Sequence, residues 1–149
     1  MAIGEFCNRE VIIASKNSTI KELTKLMRQH HVGDVVIVED KAGHNIPVGI
    51  VTDRDIVLEL VAEDVDLNAC MAGDIMSFEL VTVKESDGIW ETLQQMRSKG
   101  IRRIPVVNEQ NALVGIISAD DLLELITEEM SDLVKIISRQ QRKEREKRA

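Results

Sequence analysis

Tyrosine is absent from this chain, and Phe6, Phe78 and Trp90 are its only large aromatics. Single-stranded nucleic acids are held by stacking their bases on aromatic platforms, so nucleic acid is not an expected partner. Cysteine is almost as rare: Cys7 and Cys70 stand alone, without metal-ligand spacing. They read as small packed residues of a cytoplasmic protein with reduced thiols. No apolar run approaches the roughly 18 residues of a membrane span. The N-terminus lacks the positive start and apolar core of a secretory signal. Positive charge is outnumbered by negative except at one end. Val134 to Ala149 carries a net of +5 in a chain of net charge −7, which leaves −12 on the rest. An acidic body repels phosphate backbones at long range, so any polyanion contact has to be local.

What is present is written twice. GIVTDRDI (Gly49 to Ile56) returns as GIISADDL (Gly115 to Leu122). VIIASKNSTI (Val11 to Ile20) is echoed by LVTVKESDGI (Leu80 to Ile89), and HVGDVVIVE (His31 to Glu39) by GIRRIPVVN (Gly100 to Asn108). The two upstream pairs are 69 residues apart and the glycine-led pair 66, so one repeat is three residues longer in the loop between its strands. Signals that recur in order mark one supersecondary module duplicated. Two similar halves facing each other make two similar clefts, which points to a binding module before an enzyme.

Each copy reads as strand, helix, strand, strand, helix. Val11 to Ala14 is a short strand, and Ser18 is placed to cap the helix that carries Ile20, Leu23, Leu26 and Met27 on one face. That helix should end near His30. Val35 to Val38 is a buried strand, Asp40 to Asn45 a hairpin loop and Val48 to Val51 the returning strand. Asp53 opens a helix whose stripe is Ile56, Val57, Leu60 and Val61. In the second copy, Leu80 to Val83, Ile104 to Val107 and Leu113 to Ile117 are strands. Asp87 caps a helix with Ile89, Trp90, Leu93 and Met96 on one face. Gly49 and Gly115 sit inside the returning strands, where another backbone or a ligand comes close. The last helix overruns its repeat along Leu122, Leu123, Ile126, Met130, Leu133 and Ile137. The basic tail after Ser138 is a solvated helix end or disordered.

The paired GIVTDRDI and GIISADDL segments, the IPVV strand at Ile104 to Val107 and DIM at Asp74 to Met76 resemble two cystathionine β-synthase (CBS) domains, a Bateman module. The resemblance covers about Val11 to Met130 and extends to small stand-alone bacterial members. It implies an α/β fold of two βαββα repeats packed as a pseudo-twofold pair, with a C-terminal helical extension. The expected division is a first repeat over 1–63, a linker over 64–75, a second repeat over 76–130 and a basic helix or tail over 131–149. The resemblance further implies clefts that bind adenosine-containing ligands (AMP, ADP, ATP or NAD) and pairing into a homodimer.

Thr52 lies at a strand-to-helix junction, where free N–H groups and the helix dipole favour an anion. Asp55, three residues on, offers a carboxylate that suits a vicinal diol. Ser118 and Asp121 repeat the pair. A hydroxyl before an acid at this spacing is also an ordinary helix cap, so either copy admits both readings. The resemblance assigns ribose and phosphate contact to Thr52, Asp55, Ser118 and Asp121. In one nucleotide-binding member of the family, basic residues at the strand start matching Arg102 and Arg103 contact the phosphates. Guanidinium forks match phosphate; the alternative is a carboxylate partner. The first copy has Gly33 and Asp34 instead, and Asp34 repels a nearby phosphate. Arg54 compensates there, opposite the acidic Asp120 of the second copy, so the two clefts should differ. By family position, Ile12, Leu80 and Val81 are candidate walls for the adenine.

His30 and His31, adjacent on a helix, point about 100° apart and chelate poorly. They suit a helix C-terminus. Asp53 and Asp55 read as helix-start carboxylates rather than a magnesium site. No metal is expected. No nucleophile, base and orienter are linked by spacing, so no catalysis is expected. Two functional readings follow. One is a regulatory sensor of an adenine nucleotide, acting on an unidentified regulated protein. The other is a ligand-free scaffold recruiting a partner through the basic tail.

Overall fold

The duplicated signals fold into two three-stranded sheets of identical order. The computed structural model describes residues 1–77 and 79–148; Phe78 and Ala149 lie outside them. In the first half, β1 (Ile13–Ala14) runs parallel to β2 (Asp34–Lys41), which pairs antiparallel with β3 (His44–Thr52). α1 (Ile20–His30) crosses from β1 to β2. α2 (Asp53–Asp55) follows β3 and continues as a π-helix over Ile56–Val61. After the short α3 (Ala72–Ile75), the second half repeats the order with β4 (Val83–Lys84), α4 (Ile89–Lys99), β5 (Arg103–Val107) and β6 (Leu113–Ser118). α5 (Ala119–Arg148) then runs 30 residues as one helix, so the basic segment after Ser138 is helical to Arg148. This is the expected α/β fold of two βαββα units with a helical extension.

Local chemistry departs from expectation in four places. The first is the cap of α1, which is Thr19 rather than Ser18. Thr19 Oγ1 accepts from Glu22 N and Glu22 Oε2 accepts from Thr19 N, both at 3.1 Å. Ser18 has no acid three residues on to reciprocate, and its hydroxyl accepts from Ser15 N instead. Asp87 likewise leaves the cap of α4 to Gly88 and accepts from Lys84 N. Trp90 is 64% exposed; the buried face of α4 is Ile89, Thr92 and Met96. Thr92 satisfies its hydroxyl on Gly88 O within the helix, which lets a polar residue replace an apolar one. On the π-helical turn after α2, Ile56 and Leu60 are buried but Val57 and Val61 are exposed. The wider turn, closed by Ala62 N on Val57 O, keeps one side of the expected stripe on the core and swings the other outward.

Two cores result, one per sheet. Ile20, Met27, Val35, Ile37, Val51 and Ile56 of the first correspond to Ile89, Met96, Ile104, Val106, Ile117 and Leu122 of the second. Each fully buried aliphatic contributes about 1.5–3 kcal/mol. Each core is completed by the other half. Ile3, fully buried, belongs to the second core, and Ala72 and Met76 belong to the first. Ile3 N and Gly4 N donate to Asp87 O and Glu85 O, while Ala72 N and Gly73 N donate to Ser18 O and Lys16 O. The segment leading into each repeat is therefore exchanged onto its twin. The stretch 64–75, expected as a linker, ends in this exchanged arm.

The glycine-led strands receive the arms. Each hairpin carries a bulge at the same place, between Ile37 and Val38 opposite Gly49, and between Val106 and Val107 opposite Gly115. A Cβ on Gly49 would lie 2.6 Å from Met76 Sδ, and one on Gly115 2.6 Å from Cys7 Sγ. Both positions are held bare by the close approach of an arm.

Candidate ligand-binding clefts

β3 and β6 each end at the junction the sequence singled out. Thr52 Oγ1 accepts from Asp55 N at 3.1 Å, and Asp55 Oδ2 accepts from Thr52 N at 2.9 Å. Ser118 Oγ accepts from Asp121 N at 3.1 Å, and Asp121 Oδ2 accepts from Ser118 N at 3.0 Å. Both pairs are reciprocal capping boxes. Capping does not exhaust them. Each hydroxyl keeps its proton to donate, and each aspartate keeps its second oxygen. All four residues are half-buried.

One cleft of about 130 Å³ opens where the halves meet. The first half lends Asn8, Glu10, Val11, Ile12, Val32 and Asp34; the second lends Arg103, Ile116, Ser118 and Asp121. Four of the candidate residues, Ile12, Arg103, Ser118 and Asp121, are thus brought together. Thr52, Asp55 and Val81 occupy the positions related by the internal duplication to Ser118, Asp121 and Ile12, and Leu80 answers Val11 of the cleft. Asp55 also lines a separate depression with Glu59, Asp74, Ile75, Met76 and Ser77. Ile12 packs against the first core and Val81 against the second, so both walls are anchored. Arg54 is exposed on the first turn of α2, its backbone N–H held by Asp53 Oδ1.

Both candidate arginines have carboxylate partners. Arg103 Nε meets Asp34 Oδ2 at 2.8 Å. Arg103 and Asp34 are equivalent positions of the two copies and both line the cleft, so this pair joins the two halves inside it. Burial pushes the Asp34 carboxyl up, Arg103 pulls it back down, and Asp53 pushes it up further. Arg102 meets Asp120 Oδ1 at 3.1 Å, with both side chains more than three-quarters exposed. Such an exposed pair contributes little and releases its guanidinium readily.

Sequence reasoning missed Asn8, Glu10, Val11, Val32 and Ile116 as cleft residues. The signal lay in the duplication: Asn8 stands 69 residues before Ser77, whose N–H bonds Ile50 O just as Asn8 N bonds Ile116 O. Among the described residues, no three His, Cys, Asp or Glu side chains are grouped to hold a metal ion. No helix is long and apolar enough to cross a membrane among them. Burial raises the Cys7 thiol, against a smaller lowering by Arg9, which suits its packing role over Gly115.

Known proteins share this fold. The chain is 38% identical over 125 residues to an uncharacterized protein of Methanopyrus kandleri, covering 84% of this chain and 62% of that protein. It therefore spans less than two thirds of that relative. It is 36% identical over 121 residues to the CBS domain-containing protein YhcV of Bacillus subtilis, covering 81% of this chain and 82% of the relative. The fold matches a CBS domain protein of Pyrobaculum aerophilum complexed with AMP, with a TM-score of 0.74 and 30% identity over 85% of this chain and 99% of that one. The CBS domain model matches residues 3–62 and again 72–128, and on this duplicated match the chain belongs to the CBS domain family.

Proposed function

We propose that this chain is a non-catalytic regulatory module that binds an adenosine-containing ligand between its repeats. The observation that carries the reading is the cleft itself: a hydroxyl, a carboxylate, an arginine and an aliphatic wall converge there from both halves. The AMP complex of the Pyrobaculum relative supports it. Asp121 and Ser118 take the ribose and its attached phosphate, Arg103 and Arg102 the phosphate, and Ile12 the base. Thr52, Asp55 and Arg54, with Leu80 and Val81 as wall, form the second site. AMP, ADP, ATP and NAD are the candidate ligands, and the module acts in the cytoplasm as a homodimer on a regulated protein.

Closure of the cleft gives the mechanism. Ligand pockets usually offer about 300–1,000 Å³, more than twice what is open here. A phosphate competes with Asp34 for Arg103. Parting that pair widens the cleft and frees the halves to shift. The ligand favours the open arrangement only by its differential affinity for it. Calorimetric titration with AMP, ADP, ATP, NAD and S-adenosylmethionine tests the reading. Binding of at least one, weakened in Asp121→Ala, is expected; no heat and no thermal shift with any of them refutes it.

A further inference from the structure

α2 and its π-helical turn close the first half at Val61, whereas its counterpart α5 extends to Arg148. At 1.5 Å per residue this is a rod of about 45 Å. Every residue from Thr127 to Arg148 is exposed. Helices without tertiary packing are marginal in water, and this one is far from polar. Leu123, Met130, Leu133, Val134, Ile136 and Ile137 are each at least 58% exposed. Leu123, Ile126, Met130, Leu133, Ile137 and Gln140 follow in alternating steps of three and four, the spacing of a coiled-coil seam. Near its start the seam borders a groove of about 520 Å³, walled by Ile89 and Trp90 on one side and Ile126, Met130 and Leu133 on the other.

Charge indicates what covers it. Ala119 to Asp132 contains six carboxylates and no lysine or arginine, whereas Leu133 to Arg148 contains seven lysines and arginines and two carboxylates. Within one helix this order suits the dipole. Between two helices it selects a direction, because a parallel copy sets like charge on like and an antiparallel copy sets each acidic half along a basic one. We propose that a second copy of this chain lays its α5 antiparallel along the seam. Leu123 then faces Gln140 of the other copy, Ile126 faces Ile137 and Met130 faces Leu133, in both directions. The seam supplies affinity, and the charges, screened beyond about 8 Å in physiological salt, set orientation. This gives the homodimer of the proposed function its surface, and rests on that reading only for the existence of a dimer.

Sedimentation equilibrium of the full chain is expected to show a dimer whose Kd rises at least tenfold in Leu133→Glu, with circular dichroism confirming retained helix. Ile126→Cys and Ile137→Cys chains, oxidised separately and then mixed, read the direction. Antiparallel pairing leaves equivalent residues about 16 Å apart, so a disulfide-linked dimer is expected from the mixture alone, and not from the unaltered chain. Cross-linking of each variant to itself, with none between them, overturns the inference and leaves a homodimer standing. A monomer at every concentration overturns both. Trp90 tests the groove without substitution: its emission should shift red as the dimer is diluted apart, and constant emission through dissociation also overturns the inference.

Discussion

Ile20 and Ile89 fill the same place in the two halves, as do Ile37 and Val106. Asp34 and Arg103 also fill the same place, yet one is an acid, the other a base, and they bond each other. Gly33 answers Arg102, and Arg54 answers Asp120. The copies keep many packed side chains alike and differ at the Asp34–Arg103 contact and at exposed positions such as Arg54 and Asp120. The same contrast holds at the helix ends, where α2 gives way to a loop and α5 continues. Packing keeps much of both cores alike, with Leu23 against Thr92 and Ile3 against Ala72 as exceptions, and the cleft and the surface carry most of what distinguishes them.

The arms probe the shared part. Ile3→Ala makes the first arm resemble the second, which has Ala72 at that place, and removes a fully buried side chain. It should cost about 3 kcal/mol in urea unfolding; a loss under about 1 kcal/mol would mean the arm is not part of the core. Gly115→Ala should cost about 2 kcal/mol and Gly49→Ala about 1. The new Cβ at Gly115 meets the Asn8 backbone oxygen at 2.9 Å, whereas at Gly49 the nearest atoms are those of the Met76 side chain. Equal losses would contradict that difference.

The clefts probe the divergent part. Asp121→Ala should weaken AMP about tenfold, equivalent to ~1.4 kcal/mol, and Asp55→Ala should weaken it less, since the first-half copy lacks Arg102 and Arg103. Ser118→Ala removes a cap and should cost about 1 kcal/mol of stability, with Thr52→Ala matching it. The smallest effect is on pH. The native Asp34 carboxyl is raised above its ordinary 3.8, chiefly by burial. The folded state then binds more protons than the unfolded one just above that value, so this group makes stability fall as pH rises through the window. Asp34→Asn should remove that slope from the pH profile of unfolding.

Much of this architecture is legible in the sequence, because repeats, aliphatic periodicity and turn residues act locally. The strand and helix order, the cores around Ile20 and Ile89, and the overrun of α5 all follow from spacing. The exchanged arms do not. Ile3 to Cys7 carries no periodicity, and its partner Gly115 lies over a hundred residues away. Trp90 was misplaced because an aromatic on a helical stripe reads as core, while the true core residue Thr92 hides its polarity in its own turn. At the clefts, spacing identified Thr52, Asp55, Ser118 and Asp121 but not what they do without a ligand, since a capping box and a ribose site use the same side chains. The pairing of Arg103 with Asp34 emerges only once the two halves are packed, and that of Arg102 with Asp120 once β5 and β6 are paired.

Calorimetric titration of AMP into the unaltered chain and into Asp34→Asn tests most directly whether ligand and Asp34 compete for Arg103. Binding to both, about tenfold tighter in the variant, is the predicted result. Absence of binding to either, or equal affinity in the two, would contradict the account.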